Sequence, residues 1–436
     1  MRKTIATVFV CIMVMVVGTA CNQDEETVTK MSTSNNITSI PTITGETMEY
    51  MEEYLKTYFD IDCSKEFTVD TFKEAMEKVS TEDVEPIQDL NGLSVIRYGV
   101  EAANYKELAM TYKDSKVEER LYFEGLDEPE ENGAYIATAL DAGLISNAEA
   151  RQYIENKPVT KEMAVSLLMQ VADANGLGQN YLGYSDDENI DAKLENAWNS
   201  FSIYDDEVLS SIGKKMVESK ITTGYNLKNE AYNANFLPEL TLQYGHSDIK
   251  HAHQLVALLN SENIYAKVQL EPKVSIYEYL LDWGEIPEST KTYQVKKFSD
   301  DLYLVYALEY DLQLEFETKE DRNAFHSVIE TYAKKYDENK NDMAGLIYGA
   351  WWQPLYSTTA STMNKEEYKE IKDYIITHDN YSIHTFCLLE DETKVEKNLK
   401  QALKEEIKKE ENELQLESKT RYVNNAFYRY LQGDYQ

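Results

Sequence analysis

The sequence predicts a multi-domain chain in which an all-α part, residues 62–262, is followed by an α+β part, residues 265–436. Two patterns support this division. In the first part apolar residues such as Ile136, Ala139 and Leu140 recur at helical spacing, and Gly143 stands where a helix would stop. In the second part the apolar residues of 301–317 alternate with polar ones, which is the period of a strand. The apolar fraction of 42% is ample for buried cores.

The N-terminus has the pattern of an export signal. Arg2 and Lys3 precede an apolar run, residues 5–17, that is too short for a comfortable transmembrane helix. The following Gly-Thr-Ala-Cys, residues 18–21, resembles the cleavage box of bacterial lipoproteins. That resemblance implies that residues 1–20 are removed and that Cys21 carries the lipid that anchors the protein to the membrane at the cell surface. The alternative is a plain secretory signal, and both interpretations place the mature chain outside the cytoplasm.

Residues 21–60 are predicted to be a flexible tether, since residues 22–46 are rich in Ser, Thr, Asn and acids and have no apolar period. The formal net charge is −35, which excludes a general electrostatic attraction to nucleic acid or to anionic lipid. We therefore expect no nucleic-acid partner.

Three segments of the helical part share one order of features: an apolar helix, a glycine or proline break, and a later helix with one apolar stripe. They are residues 62–113, 120–174 and 201–262. In the second segment Leu144 and Ile145 follow the glycine stop, and Pro158 and Thr160 mark the next helix start. This order resembles the S-layer homology module of bacterial cell-surface proteins. The alternative interpretation is an ordinary helical hairpin with a glycine stop.

The resemblance implies non-covalent attachment to cell-wall polysaccharide, which often carries negative charge. The family signature is Ile-Thr-Arg-Ala-Glu at the start of the last helix of a module. Its counterparts here are incomplete and leave Arg97, Thr160, Lys161 and Lys250 as the expected polymer contacts. Because exposed charge contacts are screened within about 8 Å at physiological salt, we expect any wall binding to be weak and salt-sensitive.

The pattern of the second part predicts a sheet with helices on one face. Strands are expected at residues 266–270, 301–317 and 381–389. Helices are expected at residues 319–335, at residues 368–376, and as one long helix over residues 395–414. No family is identified for residues 265–436.

Aromatic residues are the most notable feature of this second part, and the chain as a whole contains 33 tyrosines. We expect Tyr348, Trp351, Trp352 and Tyr356 to form a ligand surface, because aromatic faces stack on sugar rings and tyrosine hydroxyls bond to sugar hydroxyls. The alternative is that these side chains fill the core.

No catalytic or cofactor motif is present: the chain lacks a P-loop, Gly-x-Ser-x-Gly, His-Glu-x-x-His and Cys-x-x-Cys. His251 and His253 would point apart on a helix and could not share a metal ion there, so no metal and no cofactor are expected. Whether Cys63 and Cys387 pair stays open, as does the oligomeric state.

The prediction is thus a lipid-anchored, non-catalytic envelope protein that associates with cell-wall polysaccharide or other envelope components. The alternative is an extracellular glycan-active enzyme with its site in the second part. A concave pocket with facing acids would favour the enzyme, and a flat aromatic face would favour binding.

Overall fold

The computed structural model describes residues 46–123, 125, 130–299, 302–332, 355–357, 366, 368–407 and 414–433. All of them lie in one compact unit that spans residues 41–436. The described helices are α1 (Met48–Phe59), α2 (Val69–Val79), α3 (Gly92–Ala102), α4 (Lys106–Thr111), α5 (Asp114–Phe123), α6 (Glu130–Asp141), α7 (Asn147–Ile154), α8 (Lys161–Ala174), α9 (Ile190–Ser200), α10 (Glu207–Glu218), α11 (Ile249–Ser261), α12 (Lys319–Tyr332), α13 (Glu392–Ile407) and α14 (Asn425–Leu431).

The described strands are β1 (Gly183–Tyr184), β2 (Gly224–Asn229), β3 (Thr241–His246), β4 (Ala266–Glu278), β5 (Tyr293–Lys297), β6 (Tyr303–Phe316), β7 (Leu355–Ser357), β8 (Tyr368–His378), β9 (Tyr381–Leu388) and β10 (Gln415–Asn424). Single 3-10 turns cover Glu230–Tyr232, Pro238–Leu240, Leu281–Trp283 and Leu389–Asp391.

Helices α1–α8 share one hydrophobic core, in which α1 and α2 pack against α8 and α3 packs against α6 and α7. Local sequence explains several helix starts, because the hydroxyls of Thr68 and Ser146 cap α2 and α7 in complete capping boxes. Gly143 has a φ of 72° just past α6, which confirms it as a helix stop. None of the helices in the described ranges combines the length and the apolar character that crossing a membrane requires.

The strands form one antiparallel sheet that closes on itself. Its order is β1-β4-β2-β9-β8-β10-β7-β3-β6-β5, and β4 also pairs with β6. That extra pairing joins eight of the described strands, from β4 round to β6, into a ring, with β1 and β5 outside it. We call these eight strands the closed sheet. Closure gives the sheet an inner and an outer face, and the two faces have opposite chemistry.

The outer face is apolar and carries the helices. On β6 the predicted alternation is confirmed: Leu304, Leu308 and Leu312 belong with the other even-numbered residues of the strand to the hydrophobic cores that the helices cover. Helices α9, α11 and α12 pack against β3, β4 and β6, while α10 and α13 pack against β2, β8 and β9. The α+β arrangement predicted for the C-terminal part is confirmed in this outline.

Two expectations about secondary structure were wrong. Residues 201–262 are not purely helical, because β2 and β3 lie between α10 and α11 and belong to the closed sheet. Residues 368–376 form strand β8 and not a helix. Ile371 and Ile375 lie on the inner face of β8 and Ile376 on the outer face, so both faces carry apolar residues and the strand period was hidden. The predicted helix at 395–414 is seen as α13, whose described residues end at Ile407.

Candidate functional site

The inner face of the closed sheet is lined by polar side chains. Strands β4 and β6 place Lys267 opposite Glu315, Gln269 opposite Gln313, Glu271 opposite Asp311, and Lys273 opposite Glu309. All eight of these side chains are buried, and Asp311 has no exposed surface. The alternation of residues 301–317 predicted a strand but not the burial of its polar side chains, and ring closure is the reason that they are buried.

One ion-pair cluster centres on Asp311. Its two carboxylate oxygens accept from Lys273 Nζ at 2.7 Å and Lys228 Nζ at 2.6 Å. Lys228 also contacts Glu271 Oε2 at 3.2 Å. Burial alone would raise the pKa of Asp311, but the two ammonium groups hold that pKa well below its usual range. Asp311 is therefore held in its ionised form, because an ammonium group lies within hydrogen-bond distance of each of its two oxygens.

A second cluster lies on β8, β9 and β10. Asp373 Oδ2 accepts from His384 Nδ1 at 2.9 Å and from Arg421 Nε at 2.6 Å. His384 Nε2 lies 3.1 Å from Ser382 Oγ, and the Ser382 hydroxyl donates to Glu230. Burial would raise the pKa of Asp373, but His384 and Arg421 lower it to about 2.

These clusters surround a cavity of about 780 Å³ inside the closed sheet. Its charged lining is balanced, because the cations Lys228, Lys419 and Arg421 are matched by the carboxylates Glu230, Glu271 and Glu417, and His384, which also lines the cavity, is paired with Asp373. Two aromatic side chains, Tyr58 of α1 and Phe236, complete the wall near the helical part, where the Tyr58 hydroxyl donates to the Phe236 carbonyl. The site is therefore concave, polar and without a dominant charge.

Gln243 lies in the wall of this cavity and has a buried amide group. The residue is 3% exposed, and its Oε1 accepts from Gln313 Nε2 at 2.9 Å. Its Nε2 has no hydrogen-bond partner among the described residues. A buried amide N–H without a partner is costly, so its position in a cavity wall points to an acceptor atom on a ligand.

A smaller cavity of about 460 Å³ lies where the helical part meets the closed sheet. It shares Glu230 and Asn233 with the larger cavity. The junction itself is hydrogen-bonded: Glu315 accepts from Tyr50 Oη at 2.9 Å and from Gln179 Nε2 at 3.0 Å. The helical part is thus attached at the edge of the site and contributes α1 to its wall.

The predicted polymer contacts do not form one site. Arg97 Nε donates to Glu101 at 3.1 Å, and its guanidinium lies over the Tyr135 ring. Lys161 Nζ lies 2.5 Å from Glu52, and the Thr160 hydroxyl caps α8 by accepting from Met163 N at 3.3 Å. Lys250 is an exposed residue of α11, on the outer side of the sheet. Arg97 and Lys161 are therefore each engaged with a different acid.

The predicted aromatic surface and the lipid site fall mostly outside the described part of the chain. Cys21, Tyr348, Trp351 and Trp352 lie outside the described residues. Tyr356 belongs to β7, at the register position opposite Gln243 and Val423. The two cysteines whose pairing was left open, Cys63 and Cys387, are free and buried.

The clustered histidines make local contacts. His246 Nδ1 accepts from Asp248 N at 2.9 Å, and the rings of His246 and His251 are 4.1 Å apart. His253 Nδ1 lies instead 2.7 Å from Asp191. Among the residues that the structure describes, no group of three or more His, Cys, Asp or Glu side chains is placed to hold a metal ion.

The polar residues of the cavity were not predicted as a site. The available signal was the alternation of Lys267, Gln269, Glu271 and Lys273 in β4, which matches that of β6. No protein-family model, curated protein or solved structure matches this chain significantly.

Proposed function

We propose that this protein is a lipid-anchored, non-catalytic envelope protein that binds a neutral, hydroxyl-rich ligand, a cell-wall glycan unit, inside the closed sheet. The observation that carries the proposal is the charge-balanced cavity whose wall includes Gln243, with its buried amide nitrogen that has no partner among the described residues. Sugars offer many hydroxyl acceptors and donors and no net charge, which is what such a wall can satisfy.

The size and lining of the cavity support a small ligand. Its volume of about 780 Å³ lies within the range of roughly 300–1,000 Å³ that is usual for small-molecule sites. A strongly charged ligand would leave some of the six opposed lining charges badly paired, which is costly in a buried site. Tyr58 and Phe236 add apolar faces at the edge of the cavity.

The carboxylates of the cavity favour binding over glycoside hydrolysis. Hydrolysis usually needs one protonated carboxyl and one carboxylate that face each other. Glu271 already accepts from Gln313 Nε2 and from Ala234 N, both at 2.9 Å. Burial would raise the pKa of Glu230, but the Ser382 hydroxyl and the charge of His384 lower it. Both groups are therefore held as acceptors.

The side-chain contacts from Ser382 to His384 to Asp373 resemble a catalytic triad, but the protons on these groups are not placed as a triad needs. The single hydroxyl proton of Ser382 goes to Glu230. Ser382 Oγ must then accept from His384 Nε2, while His384 Nδ1 donates to Asp373. An imidazole that donates from both nitrogens cannot remove a proton from Ser382, so the chain of contacts supports a positioning role.

Attachment through the helical modules is part of the same proposal. If they bind anionic wall polymer, the polymer must compete with Glu101 for Arg97 and with Glu52 for Lys161. We therefore propose that this contact is weak and salt-sensitive and that the closed sheet supplies the specificity.

The test is calorimetric titration of the full mature chain with oligosaccharides released from purified cell-wall polysaccharide, separated into neutral and anionic fractions. We expect saturable binding of the neutral fraction. Gln243→Met should weaken it about three- to tenfold, the value of one or more lost hydrogen bonds. Gln432→Met, an exposed glutamine after α14, is the matched control and should bind as the wild type does.

Equal binding by Gln243→Met would show that the ligand lies elsewhere. Preference for the anionic fraction would contradict the neutral-ligand assignment. Progressive shortening of the oligosaccharides during the titration would identify a hydrolase and refute the non-catalytic proposal.

A further inference from the structure

A second surface, on the loop that follows β4, exposes large apolar side chains. Residues 280–286, which we call the apolar loop, contain Leu280, Leu281, Trp283 and Ile286, with exposed fractions of 46%, 56%, 57% and 42%. Four such residues within seven positions form a patch of the kind that marks an interaction surface. The sequence analysis did not single out this segment.

The loop holds a defined conformation. Trp283 N donates to the Leu280 carbonyl at 2.9 Å, and the Tyr279 hydroxyl donates to the Glu285 carbonyl at 3.1 Å. The rings of Tyr279 and Trp283 meet edge to face at 5.5 Å. Tyr279 is itself buried against Val305 and Ala307 at the end of the closed sheet. The fold therefore supports the exposed side chains from beneath and keeps them in solvent.

Lysines lie beside the apolar loop. Residues 279–299 contain three acids and three lysines, and Glu278, Asp300 and Asp301 border them. Lys296 and Lys297 are exposed on β5, and Lys214 Nζ lies 4.5 Å from the centre of the Phe298 ring, which is 44% exposed. Cationic side chains thus lie beside the exposed apolar segment, which is an arrangement that suits the headgroup region of a bilayer.

The chain before the described residues is long enough to bring this loop to a membrane. Twenty-four residues lie between Cys21 and Glu46, and a fully extended chain from one to the other reaches about 85 Å. Glu46 lies 2.6 Å from Lys267 Nζ, at the start of β4, and the apolar loop follows the other end of that strand. A strand of 13 residues is about 40 Å long, so the tether exceeds the distance that it must cover.

We propose that the apolar loop inserts into the surface of the bilayer to which the lipid on Cys21 is attached. The inference rests on the lipid anchor of the proposed function. Tryptophan is enriched at membrane–water interfaces because its ring is amphipathic, and flanking lysines suit the headgroup region. Leu280, Leu281 and Ile286 supply the apolar contact, and the lipid holds the loop at high local concentration near the bilayer.

The test uses the full lipidated protein reconstituted into phosphatidylcholine vesicles with and without brominated acyl chains, which quench tryptophan on contact. Subtracting the emission of Trp283→Phe from that of the wild type isolates the signal of Trp283 from the other tryptophans. We expect brominated lipid to remove most of that difference signal. The Phe variant keeps an aromatic ring against Tyr279, so it should melt as the wild type does.

The control places a tryptophan on a remote surface: Tyr122→Trp in the Trp283→Phe background, since Tyr122 of α5 is 82% exposed. Its added emission should not be quenched. Flotation of each sample with its vesicles shows separately whether the lipid anchor attaches the protein to the bilayer. If the protein floats but brominated lipid quenches Trp283 no more than it quenches the control tryptophan, loop insertion is refuted and the anchor stands. Protein that does not float overturns the anchor and the insertion together.

Discussion

Replacing Asp373 by asparagine should destabilise the closed sheet strongly, because this carboxylate holds two donors inside it. Asp373 has no exposed surface, and both His384 and Arg421 donate to the same oxygen. Removing one partner of a buried charged pair costs about 3–5 kcal/mol. The lowering of the pKa of Asp373 from the ordinary 3.8 to about 2 gives a smaller value. It means that the ionised carboxylate stabilises the fold by about 2 kcal/mol more than the protonated carboxyl does. We therefore expect a loss of about 2–5 kcal/mol at pH 7.

The effect should depend on pH in a definite direction. The pKa of Asp373 is lower in the folded than in the unfolded state. The stability that its carboxylate contributes is therefore fully present above the ordinary pKa of 3.8 and disappears as pH falls toward 2. The asparagine variant has no such group to titrate. The difference in the free energy of unfolding between wild type and variant should therefore narrow between pH 4 and pH 2.

Urea unfolding followed by circular dichroism at several pH values measures both effects. Asp379→Asn is the matched control, because Asp379 lies in the adjoining turn between β8 and β9, is exposed, and has a φ of 48° that asparagine tolerates. An Asp373→Asn protein as stable as the control at pH 7 would refute the reasoning, as would a difference that stays constant down to pH 2.

Three further predictions concern other parts of the molecule. Gly92→Ala should lower stability by about 1–3 kcal/mol in thermal melts, because an added Cβ would lie 2.1 Å from the Tyr153 carbonyl oxygen; an unchanged melting temperature would contradict that close approach of α3 and α7. Burial raises the pKa of the Cys63 thiol to about 11 and that of Cys387 to about 12, so a thiol reagent at pH 8 should label both only after unfolding. Rapid labelling of the native protein would count against their burial. Cys21→Ala should release the protein into the medium or leave the signal uncleaved, and a variant that stays membrane-bound with the processed mass would disprove the lipid anchor.

Strand β6 shows how far the sequence could lead. Its alternation from Leu302 to Phe316 predicted a strand and identified the outer face, since local period depends only on neighbouring residues. That the polar face is also buried depends on pairings with distant segments, such as β4 with β6 and β3 with β7. No local pattern reveals such closure, so the cavity could not be predicted.

Strand β8 shows a different limit. Tyr368, Ile371 and Ile375 are spaced as on one face of a helix, which is why a helix was expected. In the closed sheet Ile375 lines the inner cavity while Tyr374 and Ile376 join the outer core. A strand that is apolar on both faces loses its period of two, and only its partners β9 and β10 identify it.

The position of β10 in the closed sheet has a consequence for the order of folding. This strand, the last of those that the structure describes, lies between β8 and β7, so the ring cannot close before residues 415–424 have arrived. Other pairings also join distant segments, as where Asn229 of β2 meets Tyr381 of β9. Non-local pairing of this kind slows folding, because the entropy of loop closure must be overcome first. If the chain is exported N-terminus first, as the proposed function requires, it would therefore cross the membrane with its sheet still open, and its polar inner face would assemble only on the far side.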